Sequence, residues 1–465
     1  MAEKERKPKD DKKIGAGRFF AWNLRGVSTG VCLMMQGYLT LYCSDTLGLN
    51  IGIVSMLLVV SKVIDAITDM AAGLLIDRTN TRIGRGRPYE LSIIGLWICT
   101  YLMFSVPEGW TAFVKYVWIL LMYISVNAVF NTLLNANGTA YMVRAFRFQE
   151  QYVKLNTYGF VVPMLGVAAF NIAFPTLVAK YAVTHAGWSR LVGIFAIFMT
   201  IIGILRFIFV PETNKDLIEA SKKKEKVRLK DVGVLFRNDK YIFLIALVNL
   251  MLNFSTNIGV GSYYFKYIVG NLGALSMLSA AQVVALPLAF VIPQLLKKTT
   301  TARIIVGGII LTVAAGVVNT FAGANVPMLM IGGFLGGIGT VPCTMLLGLL
   351  LIDCADYNEY MGIQRMEGTL SAVNGFASKV GAAAATGICG ILLNAARFVS
   401  STGTVGVVQP QSAISMIRAL FTYVPAALWA VTGFAMSFYK LDRKMPKIRE
   451  ELEVRRAAAK EETNG

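Results

Sequence analysis

Three charged residues lie close together in a stretch of the chain that is otherwise apolar. Lys62, Asp65 and Asp69 occur in SKVIDAITDM at spacings of three and four, so a helix would place all three on one face. A lone charge near the centre of a lipid bilayer costs about 3 kcal/mol or more, so such a triad must be compensated or functional. Two carboxylates and one ammonium leave one negative charge, which a bound Na⁺ or a proton would neutralise.

We therefore expect a cation-coupling site on this helix. Its predicted members are Asp65, Asp69, Lys62, Thr68 and Asn131, with Thr132 as an alternative to Asn131 in completing the oxygen shell. The structural alternative is a static network of ion pairs that includes Lys379. We favour the coupling site, because ionisable residues inside a membrane segment are functional candidates by default.

Two other apolar segments carry asparagines at intervals of four residues. One contains Asn127, Asn131 and Asn135, and the other contains Asn249, Asn253 and Asn257. Polar side chains on two further segments complete the set: Arg25, Thr29, Cys32 and Gln36, and Thr340 and Thr344. Residues four apart share a helix face, and a carboxamide in hydrocarbon needs a partner or water. The stripes therefore predict either contacts between helices or a polar pathway, and we favour the pathway.

The elements that carry these residues are predicted to be membrane-spanning helices. Of 465 residues, 55% are hydrophobic and 15% are charged, and the charges separate apolar stretches of about 20 residues, which is the length that crosses a bilayer. Twelve spans are predicted, near 19–43, 51–76, 91–106, 113–137, 155–178, 191–210, 241–269, 275–296, 303–323, 327–352, 370–396 and 412–439. Lipid forces each of them to be helical, because backbone polar groups must be satisfied within the span.

The distribution of basic residues predicts the topology. The net charge of +18 collects in the two tails and in every second connection, whereas Lys180, Arg190 and Arg397 occupy the opposite connections. This is the positive-inside pattern, with both termini cytoplasmic, and it favours a lipid bilayer over a nucleic acid as the partner. The predicted organisation is a tail 1–18, a six-helix bundle 19–210, a basic cytoplasmic linker 211–240, a second six-helix bundle 241–439 and a cytoplasmic tail 440–465.

The chain offers little for enzyme chemistry. Its single histidine, His185, falls in a predicted external connection, and its six cysteines form no close pair. A buried histidine relay, a structural metal site and a bound cofactor other than the coupling ion are therefore not expected.

Two motifs resemble those of a known family. Residues 73–89 read GLLIDRTNTRIGRGRPY, which resembles the loop between helices 2 and 3 in the major facilitator superfamily, and residues 353–368 read DCADYNEYMGIQRMEG. Together they resemble the glycoside–pentoside–hexuronide:cation symporters, the family of melibiose permease. The resemblance implies an all-α membrane fold of two pseudo-symmetric six-helix bundles, alternating access, and a polar solute carried together with Na⁺ or H⁺. We expect a functional monomer in the cell membrane.

The resemblance also implies roles for individual residues. Asp65 and Asp69 match the family's coupling aspartates, and Lys379 matches a lysine on helix 11. A cytoplasmic gate is implied by the charges of the two motifs: Asp77, Arg78, Arg82, Arg85 and Arg87 with Asp353, Asp356, Glu359, Arg365 and Glu367.

The chain departs from the galactoside carriers at their sugar-binding acids. Thr29 stands at the first such position, and Leu134 or Asn135 stands at the second. Arg25 lies one turn from Thr29, which leaves two interpretations: it binds an acidic group of the solute, such as a hexuronide, or it snorkels to the cytoplasmic surface. The residues predicted to bind solute are Arg25, Thr29, Asn127, Asn135, Asn253, Asn257 and Lys379. A carrier of lipids or lysolipids on the same fold is the alternative function, and a non-transporting sensor is a third.

Overall fold

The structure is a computed structural model that describes residues 14–78, 81, 86–146, 151, 155, 159, 161–212, 240–285, 287–288, 291–362, 367–400 and 408–464. Almost all of these residues are helical, as expected for a chain rich in apolar runs of span length. By their internal contacts they form two units. The first contains residues 14–49, 60–78, 81, 86–146, 151, 155, 159, 161–212 and 400, and the second contains residues 50–59, 240–285, 287–288, 291–362, 367–399 and 408–464.

Among the described residues of the amino-terminal part there are eight α-helices. They are α1 (Ala16–Gln36), α2 (Leu39–Asp45), α3 (Ile51–Arg78), α4 (Ser92–Met103), α5 (Ala112–Ile124), α6 (Thr132–Ala145), α7 (Val161–Tyr181) and α8 (His185–Phe209). A 3₁₀ turn, Arg87–Leu91, precedes α4.

The part of the carboxy-terminal half that the structure describes holds ten more α-helices. They are α9 (Lys240–Asn257), α10 (Gly261–Tyr267), α11 (Leu275–Val284), α12 (Ile292–Leu296), α13 (Thr301–Ala322), α14 (Val326–Tyr360), α15 (Glu367–Ala395), α16 (Gln411–Phe421), α17 (Tyr423–Met436) and α18 (Met445–Asn464).

Each of the twelve predicted spans coincides with one or more of these helices. Several spans are interrupted: the first breaks after Gln36, and the seventh breaks at Gly259, whose φ of +68° is a conformation that suits glycine. Within the described residues, eight helical stretches are long and apolar enough to cross a membrane, and shorter apolar helices occur at Ile51–Lys62 and Leu272–Val284.

The fourth predicted span is not a regular α-helix. A π-helical segment, Ser125–Asn131, joins α5 to α6, and the amide of Thr132 donates to the carbonyl of Asn127, five residues earlier. Such wide turns are rare and occur often at functional sites.

Glycines allow α14 to pack closely on two neighbouring helices. A methyl group on Gly332 or Gly336 would meet side chains of α13, whereas one on Gly333 or Gly337 would meet residues of α11. The two pairs, each spaced by four, thus serve different contacts. This agrees with the general use of small residues where membrane helices approach each other.

The last helix, α18, begins in the segment predicted to be a cytoplasmic tail. Met445, Ile448 and Leu452 are buried in the same apolar cluster as Tyr241 on α9 and Trp429 on α17. Asp442, just before α18, accepts a hydrogen bond from the backbone amide of Ala302 at the start of α13. Side chains at spacings of three and four thus fasten this part of the terminal segment to the second unit.

Candidate functional site

The face of α3 that carries Lys62 and Asp65 also presents Thr68. All three side chains are half-buried, and the hydroxyl of Thr68 donates to the backbone carbonyl of Asp65 at 3.0 Å. The side chain of Asp69, on the next turn, lies outside the described residues. The long apolar run of α3 therefore holds at least one carboxylate and one ammonium on a shared face, as the spacing predicts.

Asp65 meets a hydroxyl group from the fourth span. The Thr132 hydroxyl lies 3.2 Å from Oδ1 of Asp65 and 3.1 Å from the carbonyl oxygen of Asn127. A hydroxyl has one hydrogen and two lone pairs, so it donates to one of these acceptors at a time. When the hydrogen points to Asn127, a lone pair of the Thr132 oxygen is available beside Asp65. A carboxylate and a hydroxyl oxygen are suitable ligands for a small hard cation.

Lys62 meets an aromatic ring on the same span. Its Nζ lies 5.8 Å from the centroid of the Tyr123 ring, within the range of a cation–π interaction. The Tyr123 side chain is itself buried. The structure therefore brings Lys62, Asp65 and Thr132 together, with Tyr123 as a neighbour that the sequence did not indicate.

The asparagines of the fourth span have separate partners. Asn127 is buried and donates to the side-chain oxygen of Gln36 on α1 at 2.9 Å, and Gln36 in turn donates to the sulfur of Cys32 at 3.6 Å. Asn131 accepts from the side chain of Asn135, which is exposed. Asn127 thus bonds to another helix, whereas Asn135 retains exposed polar atoms.

The asparagines of α9 form a continuous ladder. Asn249 is buried and donates to the backbone carbonyl of Asn374 on α15 at 2.7 Å. Asn253 donates to the carbonyl of Asn249, and Asn257 donates to that of Asn253, at 2.9 and 2.8 Å. Exposure increases along the stripe from Asn249 to Asn257. Asn249 therefore serves as a contact between helices, whereas Asn257 is accessible.

The remaining predicted solute-binding residues lie on α1 and α15. Thr29 is buried, and its hydroxyl donates to the backbone carbonyl of Arg25 at 3.2 Å. Lys379 is half-buried on α15.

Arg25 belongs to a buried cluster of charges that sequence reasoning missed. Its Nε lies 3.5 Å from Oε2 of Glu90, and its Nη2 donates to the carbonyl of Leu134 at 2.5 Å. Arg206 approaches the same Glu90 oxygen at 3.7 Å and stacks on Trp22, with Cζ 3.3 Å from the ring centroid. Arg25 is only 6% exposed, so its guanidinium lies in the interior of the unit and does not reach the surface by snorkelling.

Further hydrogen bonds tie this cluster to the end of the first motif. Asn137, fully buried, donates to Oε1 of Glu90 and to the carbonyl of Gly86. Glu212 accepts from the backbone amides of Gly86 and Arg87, both at 2.7 Å. These contacts hold Gly86 and Arg87, the last residue of the first motif's loop and the first of the 3₁₀ turn, in place.

Two acidic residues of the second motif bind the terminal helix. Arg449 of α18 contacts Asp353 at 2.6 Å and Asp356 at 3.5 Å, and both aspartates are nearly buried on α14. Arg455 donates to the backbone carbonyl of Tyr360 at 3.1 Å. Arg449 was not among the predicted gate residues.

Most of the other predicted gate residues cannot be placed. Glu359 is half-buried near the end of α14, and the guanidinium of Arg87 lies 4.7 Å from the Phe207 ring centroid. The side chains that fall outside the described residues are those of Asp77, Arg78, Arg82, Arg85, Arg365 and Glu367. The predicted pairing between the two motifs therefore stays a prediction.

Comparison with known proteins identifies the family. Residues 29–443 match the family described as MFS/sugar transport protein. The isoprimeverose transporter of Lactiplantibacillus pentosus is 26% identical over 91% of this chain and 88% of that protein. The putative glycoside/cation symporter YagG of Escherichia coli is 25% identical over 90% and 91%.

A solved structure supports the fold. A bacterial homologue of the human lysosomal transporter Spinster superposes with a TM-score of 0.64 at 12% identity, covering 93% of this chain and 97% of that one. The predicted major facilitator fold and the prediction of a transporter rather than an enzyme are thereby confirmed. The chain belongs to the MFS/sugar transport protein family and is a multi-pass membrane transporter.

Proposed function

We propose that this protein is a symporter that couples the entry of Na⁺ or H⁺ to transport of a polar, sugar-like solute by alternating access. The solute class is a glycoside, pentoside or hexuronide. The protein acts as a monomer in the cell membrane with both termini on the cytoplasmic side, and its ligand besides the solute is the coupling cation. Relatives named as an isoprimeverose transporter and as a putative glycoside/cation symporter support this assignment.

One observation carries the proposal of cation coupling. The half-buried Asp65 carboxylate lies on a span with Lys62 one turn away and reaches the Thr132 hydroxyl of another span. With Asp69, whose side chain lies outside the described residues, the triad carries one excess negative charge, which a bound cation or a proton on a carboxylate neutralises. Binding there changes the affinity for the solute, and the solute changes the affinity for the cation by the same factor.

The carboxamide stripes support a hydroxyl-rich solute. Each carboxamide offers two N–H donors and an oxygen acceptor, which match the donor and acceptor pattern of sugar hydroxyls. Asn135 and Asn257 are the exposed members of the stripes, so they are the ones best placed to bind solute. These polar groups make a lipid or lysolipid carrier the weaker alternative.

An acidic solute is a narrower proposal. Arg25 and Arg206 share the single carboxylate of Glu90, so the three groups carry one excess positive charge. The carboxylate of a hexuronide would pair with that excess positive charge, whereas a neutral glycoside has no charge that could pair with it. Arg25→Gln distinguishes them: it weakens uptake of uronides relative to neutral glycosides only if the guanidinium contributes to binding.

Uptake into proteoliposomes tests the function. Purified protein is reconstituted and offered neutral glycosides, pentosides, uronides and a lysolipid under an imposed Na⁺ gradient, an imposed pH gradient or neither. We expect one sugar class to accumulate only when a cation gradient is imposed. Sugar uptake that never responds to either gradient would overturn symport, and uptake of the lysolipid alone would overturn the solute class.

A further inference from the structure

Tyr123 and Thr132 contact the same helix although they are nine residues apart. Tyr123 lies beneath the ammonium of Lys62, and Thr132 bonds to Asp65, so both reach α3. Nine residues of regular α-helix turn by about 900°, which would place the two side chains about 180° apart. A regular helix would therefore direct only one of them towards α3.

The π-helical segment Ser125–Asn131 removes this conflict. It lies between the two residues, and its bond from the Thr132 amide to the Asn127 carbonyl spans five residues instead of four. Such a turn accommodates about one additional residue, so the rotation from Tyr123 to Thr132 becomes that of about eight residues, or about 80° after two full turns. The wide turn thus aligns the aromatic ring and the hydroxyl with neighbouring turns of one face of α3.

We propose that Tyr123 is a positioning residue for the coupling site, whose ring holds the Lys62 ammonium so that Asp65 can accept the cation. The inference rests on the proposed function, since it takes Asp65 to be the cation-binding carboxylate. In this role Tyr123 is not itself a ligand of the cation or the solute. It acts through Lys62, one helical turn from Asp65.

The physical basis is competition between two positive charges. A lysine side chain is long and flexible, and an ammonium one turn from a carboxylate is drawn towards it. If it moved onto Asp65, it would occupy the place of the coupling cation. The face of the buried Tyr123 ring attracts the ammonium and offsets part of this pull.

The test is a double-mutant cycle read as cation affinity. Tyr123→Leu and Tyr123→Phe are made in the wild-type protein and in a Lys62→Met background. The thermal unfolding midpoint in detergent is then titrated with NaCl against choline chloride at constant ionic strength, and separately with pH. Lys62→Gln, which also lacks the ammonium, replaces Lys62→Met if that variant does not fold. Tyr181→Leu is the matched control. The Nζ atom of Lys180 lies 5.3 Å from the centroid of the Tyr181 ring, a similar contact on a different helix.

We expect Tyr123→Leu to raise the half-saturating cation concentration about three- to tenfold, the range that a desolvated cation–π contact supplies. Tyr123→Phe keeps the ring face but removes the hydroxyl, which also bonds to the ammonium, so its effect should be smaller than that of Tyr123→Leu. In the Lys62→Met background Tyr123→Leu should have no further effect, because the ammonium that the ring positions is gone. Tyr181→Leu should leave the cation response unchanged.

Two results would overturn the inference. An equal shift with and without Lys62 would show that Tyr123 acts on the fold rather than through the ammonium, and no shift in either background would show that the ring does not matter. Asp65→Asn separates this from failure of the proposed function. If that variant loses the cation response while Tyr123→Leu behaves as wild type, only the role of Tyr123 is wrong. If Asp65→Asn keeps the response, the coupling site itself is wrong and the inference falls with it.

Discussion

The hydroxyl of Thr132 lies 3.2 Å from the carboxylate of Asp65, on a different membrane span. Replacing Thr132 with valine keeps the shape and removes the oxygen. The Thr132 oxygen can coordinate a cation beside Asp65 when its hydrogen points to Asn127, so Thr132→Val removes one oxygen ligand. We therefore expect cation binding to weaken about tenfold, which corresponds to about 1.4 kcal/mol. Thr132→Ser, which keeps the hydroxyl, should restore most of it. The measurement is the cation concentration that gives half-maximal uptake, and equal values for Thr132→Val and wild type would exclude Thr132 from the site.

The buried Arg25–Glu90–Arg206 cluster should respond unequally to loss of its members. Glu90→Gln leaves two buried guanidinium groups without a carboxylate, which costs about 3–5 kcal/mol. Arg206→Gln leaves Arg25 and Glu90 as a balanced pair and should cost less. Thermal unfolding in detergent compares the two, with the largely exposed Glu108→Gln as a control that should change little. A protein that tolerated Glu90→Gln better than Arg206→Gln would contradict this account of the cluster.

Arg449 should hold the terminal helix against α14. It contacts Asp353 and Asp356, and removing a half-exposed charged partner of this kind costs about 1–2 kcal/mol. We therefore expect amide hydrogen exchange over residues 445–455 to become about tenfold faster in Arg449→Gln. The exposed Arg443→Gln tests whether loss of any nearby positive charge has this effect. Unchanged exchange in Arg449→Gln would mean that the apolar contacts of α18 suffice.

Adjacent glycines of α14 should tolerate a methyl group differently. A Cβ on Gly336 would lie 3.6 Å from that of Ala315, an ordinary contact, so Gly336→Ala should be neutral or stabilise by up to about 1 kcal/mol through helix propensity. A Cβ on Gly337 would lie 2.9 Å from the backbone oxygen of Gln282, and overpacking of this kind costs about 1–3 kcal/mol. Thermal unfolding of the two variants checks the order, and equal stability would contradict the close approach of α11.

The helices and part of the candidate coupling site could be predicted because lipid restricts the structures that a chain can adopt. Backbone N–H and C=O groups in hydrocarbon must form hydrogen bonds with each other, which a helix provides. Apolar runs of span length therefore predicted the positions of the helices. A charge in the same medium needs a partner, so the spacing of Lys62 and Asp65 indicated a shared face. Sequence reasoning left Asn131 and Thr132 as alternatives beside Asp65 and favoured Asn131, whereas the structure places the Thr132 hydroxyl there.

The features that were missed depend on contacts distant in sequence or on backbone register. Arg25 and Arg206 both lie inside apolar spans and each needs an acidic partner, but only the packing of three helices identifies Glu90 as that partner for both. The wide turn at Ser125–Asn131 has no residue signature, and asparagines spaced by four predicted a regular helix there. For α18 a signal did exist, since Met445, Ile448 and Leu452 repeat at helical spacing within a highly charged segment.

The central claim is that a cation binds at Asp65, and its most direct test is cation-dependent stability. A ligand that binds only the folded protein raises the thermal midpoint by mass action. Wild type, Asp65→Asn and Asp45→Asn are compared with and without Na⁺ across a range of pH. Asp45 is a buried carboxylate that bonds to Ser44, so it controls for the loss of any buried aspartate. We predict that Na⁺ or protons stabilise wild type and Asp45→Asn but not Asp65→Asn. A cation response that survives in Asp65→Asn would contradict the account.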